Sequence, residues 1–289
     1  MRQPSVLVAV PGGGLPADPL RRFLLAHALP GAEVHLDGVH QRVFWTAAGA
    51  VEASVDVGTG ERCEQVVVRA PAGGLEEVAA VVRRWLDLDG DHVSAEAHLA
   101  ADPLLAPLVA RRPGLRVPRA VRGAETAVLT VLGQQVSLAA ARTFGGRLVA
   151  AYGTPLDALV AFPGPQVLAA AGPDAIRAVT GVTGARARTV HALAAALADG
   201  LDLDGAATDP GLAGKAHAEL LALPGIGPWT ADYVALRVFG DSDAFLPSDL
   251  VLRRALGGVT AREAAARAQA WRPWRGYALL HLWTHEVFG

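Results

Sequence analysis

One cysteine, one lysine and no long apolar run are what 289 residues offer to several kinds of chemistry. Cys63 alone cannot close an internal disulfide, build a four-cysteine zinc or iron–sulfur site, or form a CxxC redox pair, so thiol and cluster chemistry are excluded. Lys215 is the single candidate for any mechanism that needs a lysine amine. No stretch approaches the roughly 18 consecutive apolar residues of a membrane helix, because Arg, Asp, Gly or Pro interrupts every alanine- and leucine-rich run. The start, Arg2 followed by the apolar Ser5–Val10, is too short for a secretory core and runs straight into Pro-Gly-Gly-Gly, so the expected location is the cytoplasm. A net charge of −2 removes the easy inference from overall basicity to nucleic acid. Any such surface has to be local.

What is present is a chain of 52% hydrophobic residues, long enough for a sizeable core or for two to three small domains. Asp18–His27 has helical spacing. Gln41–Trp45, Ala50–Val57 and Glu64–Arg69 approximate strand alternation between Gly and Pro turns, and a helix is expected over about Leu75–Leu86. From about His98 onward the pattern is short amphipathic helices broken by Pro-Gly, Gly-Pro and Asp-Gly. The expected class is α+β: a small mixed domain on an antiparallel sheet, then two helical lobes.

The sharpest motif runs from Leu221 to Arg237 and contains Leu223-Pro-Gly-Ile-Gly-Pro-Trp-Thr-Ala-Asp-Tyr233. A helix ends near Leu223, and Pro228 sits where a proline belongs in the first turn of the next helix. Gly225 and Gly227 allow a tight turn whose N–H groups converge on an anion at the positive end of that helix. An ordinary turn between two helices fits the same glycines. A dinucleotide fingerprint does not, because Thr230 takes the third glycine position and a helix, not a strand, comes first. Trp229 and Tyr233 share one helix face, as core aromatics or as walls of a pocket, and Asp232 between them points elsewhere.

In Phe245-Leu-Pro-Ser-Asp249 the aspartate falls at a helix start, where a cap and a catalyst are both possible. Trp271–Trp283 forms a tryptophan-rich segment near the C-terminus. Arginines cluster at Arg111, Arg112, Arg116, Arg119 and Arg122, at Arg186 and Arg188, and at Arg253 and Arg254. They fit phosphate contacts, and a solvated surface explains any single one equally well. Gln134 and Gln135 interrupt an apolar run, at a loop tip facing a ligand or at a core position that satisfies their amides.

Together, Arg112–Pro118, Leu132-Gly-Gln-Gln-Val-Ser137, Leu223–Tyr233, Phe245–Asp249 and Trp274–Trp283 resemble the helix-hairpin-helix superfamily of DNA glycosylases. Within it they are most similar to the bacterial 3-methyladenine DNA glycosylase II branch, which also carries a small antiparallel-sheet domain ahead of two helical lobes. The resemblance implies three units: residues 1–98, residues 99–122 packed with 242–289, and residues 123–241. It also implies that Asp249 is the catalytic carboxylate, that Trp229, Tyr233 and Trp283 line the lesion pocket, and that Gln135 fills the stack. Gly225, Gly227 and Thr230 would meet the DNA backbone. The main-chain carbonyls of Leu221, Leu223 and Ile226 would hold a structural monovalent cation. Two positions depart from the family pattern: Leu250 replaces a tyrosine, and Gln135 replaces a leucine wedge.

The implied activity is monofunctional hydrolytic excision of alkylated bases, such as 3-methyladenine and 7-methylguanine, from double-stranded DNA. It needs no cofactor for the chemistry, no membrane and no obligate protein partner. A non-catalytic damage-binding module and an oxidised-purine glycosylase/lyase are the alternatives. Asp249 in its matching context disfavours the first; the lack of iron–sulfur cysteines, and of a lysine at Trp229, disfavours the second.

Overall fold

The computed structural model describes residues 3–288, so Arg2 lies outside it. The N-terminal part contains β1 (Ser5–Ala9), β2 (Leu15–Pro16), α1 (Ala17–His27), β3 (Glu33–Leu36), β4 (Val39–Thr46), β5 (Gly49–Asp56), β6 (Arg62–Cys63), β7 (Gln65–Arg69) and α2 (Leu75–Trp85). Five strands form one antiparallel sheet in the order β1-β7-β5-β4-β3, and β2 pairs with β6 apart from it. Val55, Val66, Val68 and Phe44 of the sheet close with Leu24 of α1 and Val78 and Val82 of α2 into one buried cluster. The α+β class expected from the sequence is the class observed.

Helices then follow: α3 (His92–Leu99), α4 (Ala106–Arg111), α5 (Gly123–Leu132), α6 (Leu138–Tyr152), α7 (Pro165–Thr180), α8 (Gly184–Ala198), α9 (Leu203–Ala206), α10 (Pro210–Ala222), α11 (Pro228–Val234), α12 (Leu250–Ala255), α13 (Ala261–Arg267) and α14 (Arg275–Phe288). Among the described residues no helix is long and apolar enough to cross a membrane. One core joins Val128, Val131, Leu148, Val190, Leu193, Leu220 and Val234. A second joins Leu99, Leu105, Leu108 and Val117 to Phe245, Leu246, Leu252, Trp271 and Leu282, so chain from before α5 packs with chain from beyond α11. Its start differs from the expected boundary at 98/99. That point falls inside α3, whose Ala95 already belongs to the second core, so the division moves to the turn before His92.

The sheet unit is fastened to the helices by charge. Arg42 of β4 lies on a buried sheet face and reaches Glu33 at 2.9 Å and Glu125 of α5 at 2.7 Å. Arg116 donates to the carbonyls of Pro11 at 2.7 Å and Gly90 at 3.2 Å, Arg119 pairs with buried Asp87 at 2.8 Å, and Arg122 covers the Trp45 ring at 4.5 Å. Arg112 is buried as well. Of this arginine cluster, which fits phosphate contacts on sequence grounds, Arg116 and Arg119 are thus spent on groups inside the protein, Arg112 is buried with no partner for its Nη1 among the described residues, and half-buried Arg122 lies against a ring. Only Arg111 is exposed.

Candidate active site

Asp249 is the N-cap of α12. Its backbone is still extended, and its Oδ1 accepts the N–H of Leu252 at 2.8 Å. Pro247 and Ser248 end the preceding loop, and the carboxylate meets the positive end of the helix. Capping does not exhaust the side chain. Oδ2 accepts the indole N–H of Trp229 at 3.1 Å, and Oδ1 also accepts that of Trp283 at 2.8 Å. Three donors, from α11, α12 and α14, therefore converge on a carboxylate that is only 9% exposed.

Trp229 and Tyr233 stack at 5.4 Å with planes 16° apart, and Tyr233 lies 6.2 Å from Trp283 at 43°. All three rings are half-buried, whereas Trp271 of the neighbouring core is 1% exposed. Rings that only filled a core would be sealed like Trp271; these keep part of their surface open beside a carboxylate. Asp232 pairs with His217 at 2.9 Å and takes no part in the cluster.

Arg237 belongs to this site and escaped the sequence reading. Its Nη1 donates to the Tyr233 hydroxyl at 2.7 Å, and its Nε donates to the carbonyl of Pro118. The guanidinium lies 4.8 Å from the Phe23 ring centroid and 5.5 Å from that of Tyr233. Phe23 sits on α1, so the sheet unit reaches the back of the aromatic wall. His27 stacks on Phe23 at 4.1 Å, and burial, with the nearby Arg237 charge, holds its pKa down to about 4. The available signal was spacing: Arg237 follows Tyr233 by one helical turn.

The hairpin joins α10 to α11, and its two glycines differ in kind. Gly225 has φ +82°, and a Cβ there would run into Thr189. Gly227 has φ −104°, and a Cβ there would meet open space. The Ile226 N–H is taken by the Leu223 carbonyl at 3.2 Å, and those of Thr230 and Ala231 return to the Gly227 carbonyl at 3.0 and 3.1 Å. Among the described residues the N–H groups of Gly225 and Gly227 have no partner. Two free donors at the positive end of α11 are the geometry an anion needs.

Thr230 sits elsewhere than expected. It is 3% exposed, and its hydroxyl meets the Gln134 amide at 3.0 Å, so it props the hairpin from inside and does not present a side chain to DNA. Arg186, grouped with the phosphate contacts, instead donates to the Gln134 carbonyl. Gln135 is exposed with φ +54°, and Leu250, beside Asp249, is 71% exposed. Leu221 lies in the last turn of α10 and Leu223 and Ile226 in the hairpin after it, the Leu223 carbonyl accepting the Ile226 N–H.

Residues 15–122 match the AlkA N-terminal domain, and residues 128–275 match the HhH-GPD superfamily base excision DNA repair protein. The chain belongs to the HhH-GPD superfamily. It is 42% identical over 274 residues to DNA-3-methyladenine glycosylase 2 of Escherichia coli K12, covering 91% of this chain and 92% of that one. It is 43% identical over 272 residues to the probable bifunctional transcriptional activator/DNA repair enzyme AlkA of Mycobacterium tuberculosis H37Rv, covering 90% of this chain. The chain spans 53% of that relative's length. The fold is shared with a 3-methyladenine DNA-glycosylase from Archaeoglobus fulgidus, at TM-score 0.83 and 20% identity over 98% of both chains. Membership of the HhH-GPD superfamily agrees with the resemblance carried by the five motifs.

Proposed function

We propose that the protein extrudes alkylated bases from duplex DNA and releases them by hydrolysis, with Asp249 as the catalytic carboxylate. One observation carries the reading: the carboxylate is held by the indoles of two of the three rings that form the open aromatic wall. Alkylation at N3 or N7 of a purine leaves a cationic base on a weakened glycosidic bond. Rings of the kind at Trp229, Tyr233 and Trp283 favour a stacked cation by about 0.5 to 2 kcal/mol each. Such a leaving group needs little protonation, so the chemistry reduces to stabilising an oxocarbenium-like sugar and directing water. A single preoriented carboxylate supports both. Extrusion costs a few kcal/mol, least for a damaged base. The free N–H groups of Gly225 and Gly227 would grip a phosphate, and exposed Gln135 would occupy the gap in the stack.

The reading is monofunctional. A lyase needs an amine at the sugar C1′, and Lys215 lies exposed on α10, 3.7 Å from Glu219. Neutral carbonyl oxygens such as those of Leu221, Leu223 and Ile226 suit a hard monovalent cation, which would brace the hairpin and enter no step of the chemistry. A DNA substrate puts the work in the cytoplasm, with the chain acting as a monomer. The test is to incubate the protein with methylated duplex DNA and identify the bases set free. The expected result is 3-methyladenine and 7-methylguanine in solution with no strand cleavage. No release, or a borohydride-trapped adduct through Lys215, would overturn the reading.

A further inference from the structure

Gln134 follows α5 and stands 91 residues before Gly225, yet its amide nitrogen donates to the Gly225 carbonyl at 3.1 Å and to the Thr230 hydroxyl at 3.0 Å. A glutamine amide has two N–H donors, and both are spent on the hairpin. The peptide plane between Gly225 and Ile226 is therefore pinned at both ends: its carbonyl by Gln134, and its N–H by the Leu223 carbonyl at 3.2 Å. The flanking N–H groups of Gly225 and Gly227 are left free.

The backbone of Gln134 is fixed as well. Its N–H donates to Val131 at 3.3 Å, and its carbonyl accepts from Arg186 of α8. The next residue, Gln135, is exposed in the left-handed region at φ +54°, which a residue with a side chain seldom adopts unless its surroundings hold it there. Gln134 is thus the joint at which the tip of one loop and the turn of the hairpin meet.

We propose that Gln134 is a positioning residue that holds the phosphate-gripping hairpin and the Gln135 loop tip in one fixed register. The assignment rests on the proposed function, in which both must engage DNA around a single extruded nucleotide. The separation of a phosphate from the gap in the stack is set by DNA. A protein that presents both contacts at that separation forms the second at little further entropic cost; one whose contacts move independently gains less from each. Gln134 contributes no atom to the base or the phosphate. It acts through Gly225 and Gln135.

The test is a double-mutant cycle on the full chain: wild type, Gln134→Met, Gln135→Ala and the pair. Each is measured for affinity to a duplex carrying an abasic-site analogue and to the same duplex undamaged, at one salt concentration. Methionine keeps the length of the side chain and removes its hydrogen bonds. Gln134→Glu, which keeps the shape and loses the donors, is run beside it, with thermal unfolding of each variant. Uncoupling the two contacts should lower the preference for the abasic duplex by about tenfold, the scale of the coupling between residues in one network. Gln135→Ala should then add little in the Gln134→Met background, because the tip is already out of register. Gln134→Glu should lose the preference as Gln134→Met does, with a further loss of affinity for both duplexes from its negative charge. Additive penalties, an equal loss on both duplexes in Gln134→Met, or wild-type preference in Gln134→Glu would each overturn the assignment. Base release by the wild type is followed in parallel: its absence sinks the proposed function, whereas release with additive penalties sinks only the role of Gln134.

Discussion

The seam between the sheet unit and the helices and the aromatic cluster around Asp249 use polar groups in opposite ways. At the seam, guanidinium groups are consumed: Arg42 by Glu33 and Glu125, Arg119 by Asp87, Arg116 by two carbonyls. In the cluster one carboxylate receives three N–H donors, and the surfaces beside it are aromatic and partly open. The seam converts charge into docking: Arg42, Arg116 and Arg119 each spend donors on groups inside the protein. Around Asp249 the rings keep part of their surface open, and at the hairpin the N–H groups of Gly225 and Gly227 have no partner among the described residues. Density of charge along a sequence thus does not say which groups the folded chain leaves uncommitted.

The contrast can be broken first at the seam. Arg42→Met leaves Glu33 and Glu125 buried without their cation and should cost about 3–5 kcal/mol, read by urea denaturation. The protein that remains folded should release bases at the wild-type rate; a loss of rate per folded molecule would mean that the seam takes part in the chemistry. Next come the hairpin glycines. Gly225→Ala meets both a positive φ and Thr189, and should destabilise by about 1–3 kcal/mol. Gly227→Ala projects into open space, so its stability should stay within about 0.5 kcal/mol while DNA affinity falls. Equal melting temperatures for the two variants would erase the distinction.

Acid should act on buried histidines. Burial holds His40 down to about 3 and His281 down to about 4, both below the ordinary 6.5, so the unfolded chain takes up protons first as pH falls. Their contribution is complete above about pH 6.5 and is lost toward pH 4, at up to about 1.4 kcal/mol per pH unit per group. Glu33, pushed up to about 6 by burial against the pull of Arg42, has the opposite sign: its contribution is full below 4.5 and lost as pH rises through about 6. Two histidines outweigh one glutamate, and His27, held near 4, adds to them. Denaturation midpoints should therefore fall from pH 7 to pH 5, and a rise would show that Glu33 dominates. The smallest effect is on salt. With four of the five arginines from Arg111 to Arg122 buried or paired, the log–log salt slope for undamaged duplex should be shallow, about 0.9 for each of a few phosphates. A steep slope would return those arginines to the DNA face.

Much of this architecture was legible along the chain, because strand alternation, helix spacing and Gly-Pro punctuation are local. The hairpin and the cap at Asp249 are local too: Gly225, Pro228 and Asp249 each have a conformational reason visible within a few residues. What was hidden depends on pairs far apart. Arg42 meets Glu125 across 83 residues, and Gln134 meets Gly225 across 91. No pattern on β4 says that a guanidinium on its buried face will find two carboxylates. Thr230 misled for the same reason: the resemblance implies a DNA contact there until Gln134 is found on its hydroxyl. Arg237 was within reach, one turn beyond Tyr233, and needed only the question of what supports the phenol.

On the proposed function, the carboxylate of Asp249 carries the chemistry beside the three aromatic rings. Asp249→Asn keeps an oxygen to cap α12 and removes the charge that stabilises the transition state. Single-turnover release of bases from methylated duplex, measured with saturating protein beside a binding assay on the same DNA, tests it most directly. The account predicts a folded variant that binds the duplex nearly as the wild type does and frees bases at least about a hundredfold more slowly. Release by Asp249→Asn at a rate close to the wild-type rate would contradict it.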